Sequence, residues 1–173
     1  TLSDGLAAAG NGSITVQIEG KAYAEAKDYP RAREGIVTPG YFETFKTPLL
    51  GGREFSTADV ATSQPVAIVN ASFARVHFPG IDPVGHQMRR IRPRTTEPWL
   101  TIVGVVPDLL MEGIGNNNQS PIGYYIPIAQ SDVENGVRAA VRTRGTPAAV
   151  TSLVRSAVAS LDPDLAIYEI STM

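Results

Sequence analysis

Residues 36–46 read Ile36-Val37-Thr38-Pro39-Gly40-Tyr41-Phe42-Glu43-Thr44-Phe45-Lys46, a β-branched pair passing through Thr-Pro into a segment with Tyr41, Phe42 and Phe45 on one helical face. Thr38 reads as an N-cap and Pro39 as the first helical residue, where a missing N–H costs nothing. Pro48 ends the helix. The same order returns near the other end of the chain. Val137 to Thr143 reads as a strand, and Thr146-Pro147 opens a helix with Val150, Leu153, Val154, Ala157, Val158 and Leu161 on one stripe. Asp162-Pro163 stops it, and Leu165-Ala166-Ile167-Tyr168-Glu169-Ile170 reads as a closing strand. Two strand, Thr-Pro, helix units flanking a strand-rich middle predict an α+β chain. Its two ends, 1–53 and 132–173, would build one βαβ lobe, with 54–131 inserted as a second.

The middle is read from its punctuation. Residues 1–13 are rich in Gly, Ala and Ser, and Ile14-Thr15-Val16-Gln17-Ile18-Glu19 then alternates apolar and polar as a half-buried strand does. Pro65-Val66-Ala67-Ile68-Val69 suits a buried strand, Asn70 caps the helix that follows through Phe73 and Val76, and Pro79-Gly80 stops it. Ile81 to Gly85 is a turn into a strand from Gln87 to Ile91, Arg92 to Pro98 a hairpin connection, and Trp99 to Val106 the returning strand. Gly104 inside that apolar run signals close packing against another backbone, and Asp108 beyond it a turn cap. Gly113 to Gly123 reads as a polar loop before Tyr124-Tyr125-Ile126 resumes a strand. Neighbours on a strand face opposite sides, so at least one of these tyrosines belongs to the core.

Composition sets the class. The chain has 173 residues, 43% hydrophobic and 18% charged, with mean hydropathy -0.03. A chain of this size buries roughly 69% of its unfolded surface, enough for a core without staples. A net charge of -2 gives no bulk drive toward nucleic acid or anionic lipid. The absence of cysteine excludes a disulfide framework, a thiolate metal site and a cysteine nucleophile. No stretch approaches the roughly 18 apolar residues of a membrane span. The chain opens at Thr1 without a signal segment and stops at Met173 just after an apolar stretch, so it reads as a piece of a larger protein.

Catalytic chemistry finds little footing. His77 and His86, near Asp82, Arg75 and Asp59, are the raw material of a dyad or metal site, but no third nitrogen ligand exists. Their places after a short helix and after a Gly turn suit capping or solvated roles. There is no Gly-x-Ser-x-Gly elbow, and Gly51-Gly52 and Gly113-Ile114-Gly115 read as turn glycines, since neither continues into Gly-Lys-Ser/Thr. No catalytic, cofactor-binding or metal-ligating residue is therefore assigned. Two segments stand as candidates for partner contact. One is the densest positive cluster, Arg89, Arg90, Arg92 and Arg94, at the hairpin; the other is Asn116, Asn117 and Asn118 in the polar loop.

In order along the chain, Val37-Thr38-Pro39-Gly40-Tyr41-Phe42, Leu49 to Phe55, Val66 to Asn70 and Phe78-Pro79-Gly80-Ile81-Asp82-Pro83-Val84-Gly85 resemble the MacB-like periplasmic core domain of FtsX/MacB-type ABC transporter permeases. Ile102 to Asp108, Tyr125-Ile126-Pro127, Val141-Arg142-Thr143 and Leu161-Asp162-Pro163 extend the likeness to most of the chain. Two positions depart from the pattern: Phe45-Lys46-Thr47 replaces a Leu-Gly-Ile-like step, and Pro107 stands where Gly is common.

The resemblance implies an extracytoplasmic domain set between the first two membrane helices of a four-helix permease. Residues 1–53 with 132–173 would form its porter-like lobe and 54–131 its sabre-like lobe. It implies a non-enzymatic role, in which a cytoplasmic ATPase drives movements that the domain transmits while contacting cargo or a partner. The partners implied are the protein's own transmembrane helices, an ATPase subunit or domain, a second permease copy, and a membrane-fusion or adaptor protein. No cofactor and no nucleic acid are implied. The wording of the motifs is similar to permeases without a fused ATPase, some carrying two permease halves. Two other readings stand beside it: a stand-alone ligand-binding module, and a small hydrolase using His77 or His86 with Asp82.

Overall fold

A computed structural model describes residues 1–4, 12–111, 121–131, 136–165, 167, 168 and 170. They fall into two compact units, Thr1–Ala140 and Val141–Met173. The first carries strands β1 (Leu2–Ser3), β2 (Ser13–Ile18), β3 (Arg31–Val37), β4 (Gly51–Gly52), β5 (Val66–Asn70), β6 (Gln87–Arg92), β7 (Thr95–Thr96), β8 (Leu100–Val106), β9 (Gly123–Pro127) and β10 (Arg138–Ala139). Helices α1 (Tyr41–Thr44) and α2 (Ala71–His77) lie between them. The fold is α+β and strand-rich.

Six of the strands close on themselves. β3 pairs with β2, β2 with β6, β6 with β8, β8 with β5 and β5 with β9. β9 then returns to β3 as a parallel partner, from Arg33↔Gly123 to Val37↔Pro127. Closure leaves these strands no free edge, which is the main aggregation hazard of an open sheet. β1 continues the sheet beside the end of β3 and β10 beside β1; β4 joins β8, and β7 folds back on β6.

Strand alternation divides the apolar residues between two cores. One draws on all six ring strands, with Val16 and Ile18, Ala32 and Ile36, Ala67 and Val69, Met88, Leu100 and Ile102, and Tyr124 and Ile126. This is the inside of the barrel. The other takes the opposite faces, Val37, Val66, Ile68, Val106 and Tyr125, packed with Tyr41, Phe42, Phe55 and Met111. Each large side chain fully removed from water contributes about 1.5–3 kcal/mol, so the two cores dominate stability.

β8 changes parity midway. Ile102 and Val105 both belong to the inner core although they are an odd number of positions apart. The pairing explains it: Ala67 faces Ile102 and Ile68 faces Gly104, so Val103 is an extra residue on β8. The resulting bulge lets Val105 point inward. Next to it, a Cβ on Gly104 would strike the carbonyl oxygen of Arg53, which meets the close approach expected of that glycine. β4 passes there in antiparallel register, Gly51 opposite Val105 and Gly52 opposite Gly104.

α2 stoppers the barrel where β5 and β8 finish. The Asn70 side-chain oxygen accepts from Phe73 N at 2.9 Å, as expected of the cap, and from Gly123 N at 3.1 Å. Asp108 completes the start of the helix, accepting from Ser72 N at 2.8 Å and from the Ser72 hydroxyl at 2.6 Å. Phe73 and Phe78 are thereby set into the inner core. Both Tyr124 and Tyr125 are buried, on opposite faces of β9.

Several local expectations change. α1 begins at Tyr41 rather than after Thr38, with Gly40 at φ 79° as its N-cap. The Thr38 hydroxyl is engaged elsewhere: it accepts from Leu2 N at 2.8 Å and fastens β1 to the chain just beyond β3. The strand read over Val137 to Thr143 shrinks to Arg138–Ala139. Leu165, Ile167, Tyr168 and Ile170 are in no strand. In the chain, β2 and β3 of the ring precede residue 53 and β5, β6, β8 and β9 follow it.

The second unit holds α3 (Pro147–Leu161), with Thr146 at the N-cap and Pro147 in the first turn as the sequence predicts. The Asp162 side chain accepts from Asp164 N at 2.9 Å and turns the chain after the helix.

The open end of the barrel as candidate functional site

The end opposite α2, where β3, β6 and β9 finish and β5 and β8 begin, opens into a cavity of about 590 Å³. Ile36, Pro65, Pro98 and Leu100 line its apolar part, and Asp4, Arg90, Arg92 and Glu97 its charged part. Both arginines share the parity of Met88 on β6, so alternation turns them inward with it.

Below the cavity sits a buried ionic cluster. The Arg90 guanidinium, only 11% exposed, donates to Glu97 Oε2 at 2.8 Å and to Glu34 Oε2 at 3.4 Å. The Tyr124 hydroxyl donates to the same Glu34 oxygen at 2.7 Å. Burial opposes the charge on Arg90, but Glu34 and Glu97 outweigh it and hold its pKa above the ordinary value. Burial, and then the neighbouring Glu34, push the Tyr124 phenol well above its usual range. The tyrosine therefore stays a neutral donor. Gln130 fixes the rim: its amide nitrogen donates to Val60 O, Ser63 Oγ and Gln64 O, and its oxygen accepts from Val66 N.

The four arginines of the sequence cluster have different places. Arg90 is an interior residue rather than part of a solvated tip. Arg92 lies at the cavity with 48% of its side chain exposed. Arg89, on the other face of β6, stacks on Trp99 with its guanidinium carbon 4.6 Å from the ring centre, and its Nε donates to Gln17 Oε1 at 2.7 Å. Arg94 stands in the two-residue turn between β6 and β7 at φ 67°. Asn116, Asn117 and Asn118 lie outside the described residues. Glu34, Glu97 and Tyr124 complete the cluster; in the sequence Tyr124 reads only as a core candidate, and the two acids are not singled out. Inward parity of Arg90 with Met88 was the available signal that a counter-charge was needed.

The histidines take structural places. His77 is 7% exposed, packs edge-on against Phe73 at 4.6 Å, and is buried rather than solvated. His86 lies on Phe78 at 5.2 Å, and Asp82 accepts from Val84 N within its own turn. Among the described residues no group of three or more His, Cys, Asp or Glu is arranged to hold a metal ion, and no helix is long and apolar enough to cross a membrane.

A strand-rich α+β barrel with this order of elements has known counterparts. The chain belongs to the MacB-like periplasmic core domain family, whose model matches residues 6–160. It is thus a periplasmic domain of the MacB-like, ABC-type transporter permease family. Its fold is similar to the periplasmic region of MacB from Actinobacillus actinomycetemcomitans, with a TM-score of 0.61 at 15% identity over 93% of this chain and 66% of that one. A domain of a protein assigned as a permease from Porphyromonas gingivalis gives 0.56 at 16% identity, over 89% and 67%. The extracellular domain of the noncanonic ABC-type transporter YknZ from Gram-positive bacteria gives 0.47 at 16% identity, over 74% and 54%. The chain therefore spans about two thirds of the length of the first two. No curated protein matches the sequence.

Proposed function

We propose that this domain transmits ATPase-driven movement within a permease and presents a partner-contact surface outside the membrane. The carrying observation is mechanical: a closed six-strand ring, cross-braced by Arg90 between Glu34 and Glu97, is suited to move as one body. Membership of a transporter permease family supports the reading, because force from an ATPase can be used only by a domain that does not deform under it. In this reading the protein's own transmembrane helices, a second permease copy, an ATPase and an adaptor or membrane-fusion protein are the partners. Arg94 and the exposed part of Arg92 would meet them at the hairpin, with Asn116, Asn117 and Asn118 as further candidates.

The chain has no cysteine, so paired spin labels can be introduced at chosen sites. In the full-length permease with its ATPase, labels at Val76→Cys and Thr95→Cys span the two ends of the barrel. The expected outcome is an unchanged distance within each copy and a changed distance between copies when ATP is trapped. Constant distances in both measurements would remove the transmission role.

A further inference from the structure

The short strand β1 stands between the barrel and the point where the chain leaves it. Among the described residues it is the strand that pairs with β10, and it meets β3 through Ser3↔Val37. Neither β1 nor β10 takes part in the six-strand ring, which closes through β3 and β9. Beyond Ala140 the chain enters the second unit.

Polar contacts hold β1 in place. Thr38 N donates to Leu2 O at 2.9 Å, and Leu2 N to Thr38 Oγ1 at 2.8 Å. Asp4 N donates to Ile36 O at 3.0 Å, and Ile36 N to Asp4 Oδ1 at 2.8 Å. On the β10 side, Ala140 N donates to Thr1 O at 3.0 Å and the Arg138 guanidinium to Asp4 O at 2.9 Å. Two of the acceptors facing β3 are side-chain oxygens, where a regular ladder would use carbonyls.

Amid these contacts sits a group that opposes docking. Ser3 lies directly opposite Val37 and so shares its face, and Val37 belongs to the core outside the barrel wall. The Ser3 hydroxyl is buried and has no hydrogen-bond partner among the described residues. Water would satisfy it, so undocking β1 relieves the penalty. A short strand held by a few hydrogen bonds and burdened with an orphaned hydroxyl opens well before a closed ring does.

We propose that β1 is a release catch: docked, it pins β10 and the chain leaving for the second unit; undocked, it frees both while the ring stays closed. The catch rests on these pairings and not on the transmission role, so either can fail without the other.

Native-state hydrogen exchange of the 173-residue chain in low urea reads the catch at the amides of Thr38 and Ala140, and the ring at Ile102, which donates to His86 O at 2.8 Å. Thr38 and Ala140 are expected to exchange together, at least about 100-fold faster than Ile102 and with a shallower urea dependence. Ser3→Ala should slow both about fivefold, because the orphaned hydroxyl is gone. Ser3→Asp sets a charge on the apolar face and should remove protection at Thr38 and Ala140 while Ile102 stays protected. A common rate and urea slope for the three amides overturns the catch. So does loss of Ile102 protection in Ser3→Asp, or exchange at Thr38 and Ala140 that Ser3→Ala leaves unchanged or faster.

Discussion

Tyr124 and Glu34 are direct neighbours across the parallel β3–β9 pair, and the phenol donates to the carboxylate at 2.7 Å inside the barrel. The adjacent Tyr125 points to the other core, where its hydroxyl is buried without a partner. A buried hydrogen bond to a charged group is worth about 1.5–3 kcal/mol, whereas an unpaired buried hydroxyl costs about 1–3 kcal/mol. Tyr124→Phe is therefore expected to destabilise the domain by about 2 kcal/mol, and Tyr125→Phe to be neutral or stabilising. Urea midpoints of the two variants provide the comparison; equal losses would contradict the assignment of partners.

Arg90 holds two carboxylates that have little other access to water, Glu34 at 7% and Glu97 at 9% side-chain exposure. Removing one partner of a buried ion pair costs about 3–5 kcal/mol, because the charge left behind is uncompensated. Arg90→Met should fall in that range at neutral pH. The quadruple change Arg90→Met, Glu34→Leu, Glu97→Leu, Tyr124→Phe should regain most of the loss, since replacing the buried cluster whole leaves no orphan charge or hydroxyl inside the barrel.

His77 gives the fold a mild acid sensitivity. Burial, with Lys21 adding to it, pushes the imidazole pKa down to about 4 from an ordinary value near 6.5. Between those values the unfolded chain holds the proton and the folded chain does not. Stability contributed by the neutral ring is complete above about 6.5, falls as the pH is lowered toward 4, and levels off below that. The loss is on the order of 2 kcal/mol after discounting for partial solvent screening. Urea denaturation at pH 7 and pH 4.5 measures it; His77→Leu should show a smaller drop between the two than the natural sequence, and an equal drop would assign the sensitivity elsewhere.

Two glycines on paired strands should behave oppositely. A Cβ at Gly104 meets the backbone of Arg53, which cannot swing aside, while a Cβ at Gly51 meets nothing within 4 Å. Gly104→Ala is expected to cost about 3 kcal/mol, at the upper end of overpacking losses, and Gly51→Ala less than about 0.5 kcal/mol. Thermal unfolding of both variants reads the difference directly, and a tolerated Gly104→Ala would show that β4 does not press on β8.

Local chemistry made much of this architecture readable. The Asn70 cap, the end of α2 before Pro79-Gly80, the buried run Val66 to Val69 and the close packing at Gly104 all follow from residues acting on near neighbours. Ring closure was not readable, because it depends on Gly35 and Tyr125 coming opposite each other across a distant stretch of chain. The extra residue at Val103 was hidden for the same reason: Thr101 to Val106 alone does not say where its partner slips. At the site, four arginines close in sequence suggested an exposed cluster. Strand alternation separates Arg89 from Arg90 and Arg92, and the acidic partners come from β3 and from the segment between β7 and β8. Thr38 shows the converse error, where a good cap residue was taken by a strand arriving from the N-terminus.

The α2 aromatics occupy one mouth, and Met88, Ile102 and Tyr124 are buried between the walls with no exposed surface. Among its described residues the barrel is therefore a plugged cup and not a conduit.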